Sequence, residues 1–191
     1  ITVVTHFDDR KTRRAEEKER KISYNEYLLA KRKELFARTE EYKDAVNYQN
    51  LKLNEIESEV RSYSGRIYER NINDDDFLTV SLGTAPGEPS FKIECELDDY
   101  GRKEEKQYRE MLSVYNNFRI VDNIPYVIDL KKSHLGIVGR PDYARERLRD
   151  IATQIAFFQS YHDVCIVPVV GEENKAEYDW MRYLPHTEIR S

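Results

Sequence analysis

Leu135-Gly136-Ile137-Val138-Gly139-Arg140-Pro141-Asp142-Tyr143 reads as a short apolar strand, a glycine turn and the first turn of a helix. Asp142 to Ser160 carries that helix onward, with Leu148, Ile151, Ala152, Ile155 and Phe158 as its buried stripe. Cys165-Ile166-Val167-Pro168-Val169-Val170 follows and is apolar on both faces, as strands of parallel sheets are. Strand, glycine loop, helix and strand make a βαβ unit, in which an anion can rest on the helix N-terminus. The stretch predicts an α/β class from Phe77 onward.

The loop lacks the groups that hold a phosphate. A working loop has the spacing G-x-x-x-x-G-K-[ST], with the Lys on the phosphates and the hydroxyl on Mg²⁺. Counted from Gly136, the last three positions fall on Pro141, Asp142 and Tyr143; counted from Gly139, on Ala144, Arg145 and Glu146. Neither register works. Gly136, Gly139, Arg140 and Asp142 are therefore the candidates for a degenerate nucleotide-facing loop. Asp142 has a structural reading as the helix N-cap, in which case Asp142→Ala removes about 1 kcal/mol. Arg140, Arg145 and Arg147 remain candidates for holding some other anion.

Little else in the chain suggests chemistry. Glu172 and Glu173 follow an apolar strand, where acids can bind Mg²⁺ or activate water, but they also suit a turn. His6, His134, His162 and His186 have no metal-ligand spacing among themselves or with the cysteines. Cys95 and Cys165 stand apart and read as reduced thiols. No catalytic and no metal-binding residue is assigned.

Composition separates two regions. The 191 residues are 39% hydrophobic and 35% charged, with the charge concentrated in the first seventy. A net charge of −5 gives no general attraction to nucleic acid. Ile1 to Phe7 is apolar and β-branched, and Arg10, Lys11, Arg13, Arg14, Lys18, Arg20 and Lys21 follow. This is either a frayed terminus entering a solvated helix or what a membrane helix leaves on its cytoplasmic side. Asp9 to Asn47 holds no Gly or Pro and predicts a long helix, with a thin seam at Tyr24, Leu28, Leu35, Tyr42 and Val46. Tyr48-Gln49-Asn50 predicts a break. Leu51 to Val60 predicts a second helix antiparallel to the first, completing a stalk. Tyr24, Tyr27, Tyr42 and Tyr48 suit either a partner surface or packing within it.

Beyond a junction at Arg66 to Asp76, Phe77–Gly83 and Phe91–Cys95 predict a β-hairpin, Lys103 to Phe118 a helix, Ile124 to Leu130 a strand and Leu135 to Val138 an inner strand. Lys175 to Tyr183 predicts a last helix that carries Trp180 as an anchor.

Three stretches resemble a known family. Arg66-Ile67-Tyr68-Glu69 with Asp76-Phe77-Leu78 and Leu82-Gly83-Thr84, then Phe157-Phe158-Gln159-Ser160-Tyr161-His162-Asp163-Val164, then Asp179-Trp180-Met181-Arg182-Tyr183-Leu184-Pro185-His186 look like the EssC/YukB proteins of type VII (ESX) secretion; Gly136-Ile137-Val138-Gly139 matches too. The residue order of the last two long stretches follows no general structural rule. The resemblance implies a membrane-anchored FtsK/SpoIIIE-type motor on the cytoplasmic face of a bacterial membrane. In it, 1–8 would end a transmembrane helix, 9–65 form a helical stalk, and 66–191 begin a degenerate P-loop NTPase-like α/β domain, incomplete at its C-terminal end. No cofactor is then expected in this segment, ATP and Mg²⁺ belonging to downstream domains. Implied partners are other membrane components of the system, its ubiquitin-like component and further copies of the motor; nucleic acid is not among them. An ATP-binding or weakly hydrolysing domain in its own right, or a DNA translocase fragment, are the competing readings.

Overall fold

A computed structural model describes residues 2–95 and 106–187, and of residues 2–10 the backbone alone. Helix α1 runs from Thr2 to Gln49. The Gly- and Pro-free stretch accounts for its length, and it breaks at Asn50 as expected. Thr2 to Phe7 is helical and continuous with the rest, while Ile1, the first residue of the expected membrane-helix end, lies outside the described residues. Among the described residues, no helix is long and apolar enough to cross a membrane.

Helix α2 spans Leu53–Arg61, its start held by the Lys52 N–H donating to the Glu55 carboxylate at 2.7 Å. Strand β1 is Thr79–Gly87, helix α3 Lys106–Phe118, strand β2 Val121–Asp129 and helix α4 Pro141–Phe158. The expected start of α3 at Lys103 lies outside the described residues. The predicted final helix is broken: 3₁₀ turns Glu172–Asn174 and Asp179–Tyr183 flank one α turn, Lys175–Tyr178.

The fold is mixed helix and sheet, but the sheet differs from the expected one. It has two strands among the described residues, β1 beside β2. The Leu130 N–H donates to the Leu78 carbonyl at 3.0 Å, so the start of β1 meets the end of β2, as in an antiparallel pair. Phe91–Cys95 forms no strand; instead the Phe91 ring stands perpendicular to the Tyr42 ring, centroids 6.3 Å apart. Leu135–Val138 and Cys165–Val170 are irregular segments with no ladder partner among the described residues, so the parallel βαβ unit is not formed. Val138 and Val169 are 96% and 94% exposed. Apolar character on both sides of a segment marks it for burial, but a strand also needs a neighbour for its N–H and C=O groups.

The chain groups into two units, residues 1–45 with 86–122, and residues 46–85 with 123–191. Helix α3 falls in the first unit with most of α1. Helix α2 falls in the second, where it packs on α4. The second unit's core is Leu51, Ile56, Phe157 and Phe158, with Ile67 against it. Gln154 of α4 adds a polar tie: its amide accepts from the Ser81 N–H (2.8 Å) and donates to the Ser81 carbonyl (2.9 Å), occupying both backbone groups of a β1 residue as a neighbouring strand would.

Candidate functional site: a junction of two helix ends

The glycines of the candidate loop keep ordinary backbone conformations. Neither Gly136 nor Gly139 has a positive φ, so the loop does not curl its amides into a concave nest. A Cβ at Gly136 would meet nothing within 4 Å, and one at Gly139 would make an ordinary 3.5 Å contact with Tyr143, so neither glycine marks a close approach. The expected N-cap role of Asp142 is corrected. Pro141 occupies the first helical position, Arg140 is the N-cap without a side-chain bond, and Asp142 sits one residue inside the helix. The Asp142 carboxylate accepts from Arg145, which also pairs with Glu177. Arg147 pairs with Asp150 at 2.8 Å. Two of the three arginines proposed for an anion are thus neutralised by acids. Asp142→Ala is now expected to move the melting midpoint by no more than about 2 °C, because the pair it breaks is exposed; differential scanning calorimetry checks this.

The other candidates stay apart. Glu172 and Glu173 lie on an exposed turn, Glu172 within 3.7 Å of Lys175. Among the described residues, no group of three His, Cys, Asp or Glu side chains could hold a metal. Trp180 takes the Arg149 guanidinium 5.4 Å from its ring centre.

What the structure does bring together are the stretches that carry the family resemblance. The pentapeptide Arg66-Ile67-Tyr68-Glu69-Arg70 lies where two helices end. A helix C-terminus leaves carbonyls without intrahelical partners and carries the negative end of the macrodipole. At the end of α1, Arg66 Nη2 donates to the Tyr48 carbonyl (2.8 Å), with its guanidinium 4.1 Å from the Tyr48 ring centre. Arg70 Nη2 donates to the next carbonyl, that of Gln49. At the end of α4, the backbone N–H of Tyr68 donates to the Phe157 carbonyl (2.8 Å) and that of Arg70 to the Phe158 carbonyl (3.0 Å). Side chains of this segment therefore hold one helix end and its main chain holds the other. Tyr68 adopts a φ of 63° to do so, a conformation disfavoured for a bulky residue.

Arg70 is the centre of the junction. It is 3% exposed, donates also to the Thr79 carbonyl (3.0 Å) and hydroxyl (2.9 Å), and places Nε 3.0 Å from the Asp76 carboxylate. Its guanidinium lies 3.8 Å from the centre of the buried Phe158 ring. Burial pushes the guanidinium below its ordinary pKa, and Asp76 acts against that shift. Arg66 is held above its ordinary value, chiefly by its hydrogen bonds to Glu69 at 2.7 and 3.1 Å.

The third stretch closes over the same place. The buried His186 ring lies 6.0 Å from the Tyr68 ring and 6.3 Å from Tyr161, and those two tyrosines are 5.8 Å apart. His186 Nε2 is 2.9 Å from the Gln159 carbonyl, which can only accept, so this nitrogen carries the proton. The His186 carbonyl accepts from the Ile166 N–H at 2.9 Å. By sequence alone His186 has no metal-ligand spacing and Arg66 to Asp76 reads as a junction rich in Asn and Asp. The signal for their role was the specificity of the three stretches taken together.

No family model matches the chain. Curated relatives do: the ESX secretion system protein EccC of Geobacillus thermodenitrificans and the ESX secretion system protein YukB of Bacillus subtilis are each 29% identical to it, and the type VII secretion system protein EssC of Staphylococcus aureus 27%. Each alignment takes in 98% of this chain and 13% of the relative, so the chain spans about an eighth of their length. Over nearly all of its residues, the chain is a homologue of the EccC, YukB and EssC proteins of type VII secretion.

Proposed function

We propose that the chain is a coupling segment of a type VII secretion motor, joining a membrane-proximal helix to an ATPase-like body and acting mechanically. The observation that carries this reading is the junction at Arg66–Arg70, which binds the C-terminal carbonyls of α1 and α4 with one five-residue segment. A load on α1 would pass through charge-assisted hydrogen bonds into the core around Phe158. ATP and Mg²⁺ would act in other domains of the longer protein. The setting is the cytoplasmic face of a bacterial membrane, and the partners are other membrane components of the system, its ubiquitin-like component and further copies of the motor. The basic residues from Lys11 to Lys21, all exposed, support a place near an anionic membrane surface.

The body is a partial, degenerate NTPase-like α/β domain in this reading. Leu135–Val138 and Cys165–Val170, apolar and without sheet partners among the described residues, flank α4 as strands of a βαβ unit would. Strands from elsewhere in the longer protein would pair with them. Calorimetric titration of MgATP into the 191-residue chain tests the functional claim. No saturable heat is expected. Micromolar, Mg²⁺-dependent binding would instead make the domain a nucleotide site in its own right and overturn the mechanical reading.

A further inference from the structure

More than three turns of α1 bury nothing. Every residue from Lys11 to Ser23 is exposed, and the helix seam begins only at Tyr24. Along this stretch the charges sort by side. At about 100° per residue, Lys11, Arg14, Lys18 and Lys21 share an arc about 80° wide and form a row about 15 Å long. The acids of the same turns, Glu16, Glu17 and Glu19, all fall outside that arc, Glu17 coming nearest at about 40° from its edge. Lys21 pairs with Glu17. Lys11, Arg14 and Lys18 make no ion pair among the described residues. Arg13 and Arg20 lie on the far side of the helix, about 140° or more from Lys18.

Like charges three and four residues apart destabilise a helix unless they meet a counter-charge. None is supplied to this row among the described residues, so the row calls for an anionic surface outside the chain. Two observations choose that surface. On the same helix, Lys11 follows the apolar, β-branched run of Ile1 to Phe7, whose backbone is helical from Thr2 onward. An apolar run followed by cations is the order in which a helix meets hydrocarbon and then headgroups. Residues 11–21 hold six cations against three acids in a chain of net charge −5, so the remainder is more acidic than the whole and disfavours an extended polyanion such as DNA. We propose that the Lys11–Arg14–Lys18 row binds the anionic headgroups of a lipid bilayer. This rests on the membrane-proximal setting proposed above and adds the lipid class and the residues that select it.

Flotation of the 191-residue chain with two kinds of vesicle tests it: phosphatidylcholine alone, and phosphatidylcholine with phosphatidylglycerol in equal parts. The mixed vesicles should bind the chain saturably and release it as salt is raised, and the neutral ones should bind it at least about tenfold more weakly. Lys11→Gln together with Lys18→Gln should weaken binding to the mixed vesicles by about tenfold or more, at roughly fivefold per cation. Arg13→Gln together with Arg20→Gln removes the same charge from the same turns but from the far side, and should weaken it by no more than about twofold. All four positions are exposed and glutamine is a good helix former, so circular dichroism melting should not change in either variant. Absence of binding to the mixed vesicles, equal binding to both compositions, or equal losses from the two pairs of substitutions overturns the proposal. So does tighter binding of a DNA duplex at the same salt, which would assign the row to nucleic acid. Each of these results leaves the mechanical reading standing, since that reading is overturned by MgATP binding and not by vesicles.

Discussion

Phe158→Ala is expected to destabilise the unit around the junction by about 3 to 5 kcal/mol, lowering its melting midpoint by roughly 6 to 20 °C. Phe158 is 1% exposed and shares a core with Leu51, Ile56 and Phe157, whose ring meets it at 80° with centroids 4.9 Å apart. Truncation removes the apolar burial and leaves a void where the surrounding segments cannot simply collapse. It also removes the ring on which the Arg70 guanidinium lies. Phe158→Leu keeps most of the volume and should recover more than half of the loss. Calorimetric melting of the two variants beside the parent chain makes the measurement; equal midpoints for all three would mean that Phe158 is not part of a packed core.

Arg70→Met is expected to cost about 3 kcal/mol, the scale of one charge-assisted bond lost and one buried acceptor left unpaired. Methionine can fill much of the space along Phe158, but it cannot donate to the carbonyls of Thr79 and Gln49. The ion pair with Asp76 adds little to this figure, because the Asp76 side chain is half exposed and screened by solvent. Arg70→Lys should recover only part of the loss: a single ammonium cannot reach three separated acceptors from the position of a planar guanidinium. Asp76→Asn, by contrast, should change stability much less than Arg70→Met. Urea unfolding of the three variants ranks them; an Asp76→Asn effect as large as that of Arg70→Met would shift the weight of the junction from the helix-end carbonyls to the ion pair.

Much of the helical framework was legible because helices are encoded locally. The absence of Gly and Pro before Asn50, the three- and four-residue spacing of Tyr108, Met111, Leu112 and Tyr115, and the stripe of α4 each specify a helix without reference to the rest of the chain. The sheet was less legible. Phe91–Cys95 and Val169 have strand-like composition, but whether they form strands depends on partners distant in sequence, and β1 pairs with β2 instead. The Asp142 cap was readable and misjudged: a proline at the first helical position already places the N-cap at Arg140. The pairing of α2 with α4 could not be read, since Leu51, Ile56 and Val60 record an apolar face and not its partner.

The junction was the least legible part. Arg66 and Arg70 belong to one segment and His186 to another, 116 residues beyond Arg70, and what joins them is backbone: the carbonyls of residues 48, 49, 157, 158 and 159. Side-chain types do not announce a role as partner to carbonyls. An arginine in a loop of a charged chain reads as solvated until the helix ends it meets are known.

Native-state hydrogen exchange on the 191-residue chain tests the central claim most directly. The amides of Val46 to Asn50, at the end of α1, and those of Tyr68 and Arg70, which cap α4, should open with one common free energy, because the same segment holds both helix ends. Arg70→Met should lower that free energy for both groups together. If the end of α1 instead exchanges freely in the parent chain while Tyr68 and Arg70 stay protected, and Arg70→Met changes neither, the two helix ends are not joined and the coupling account is contradicted.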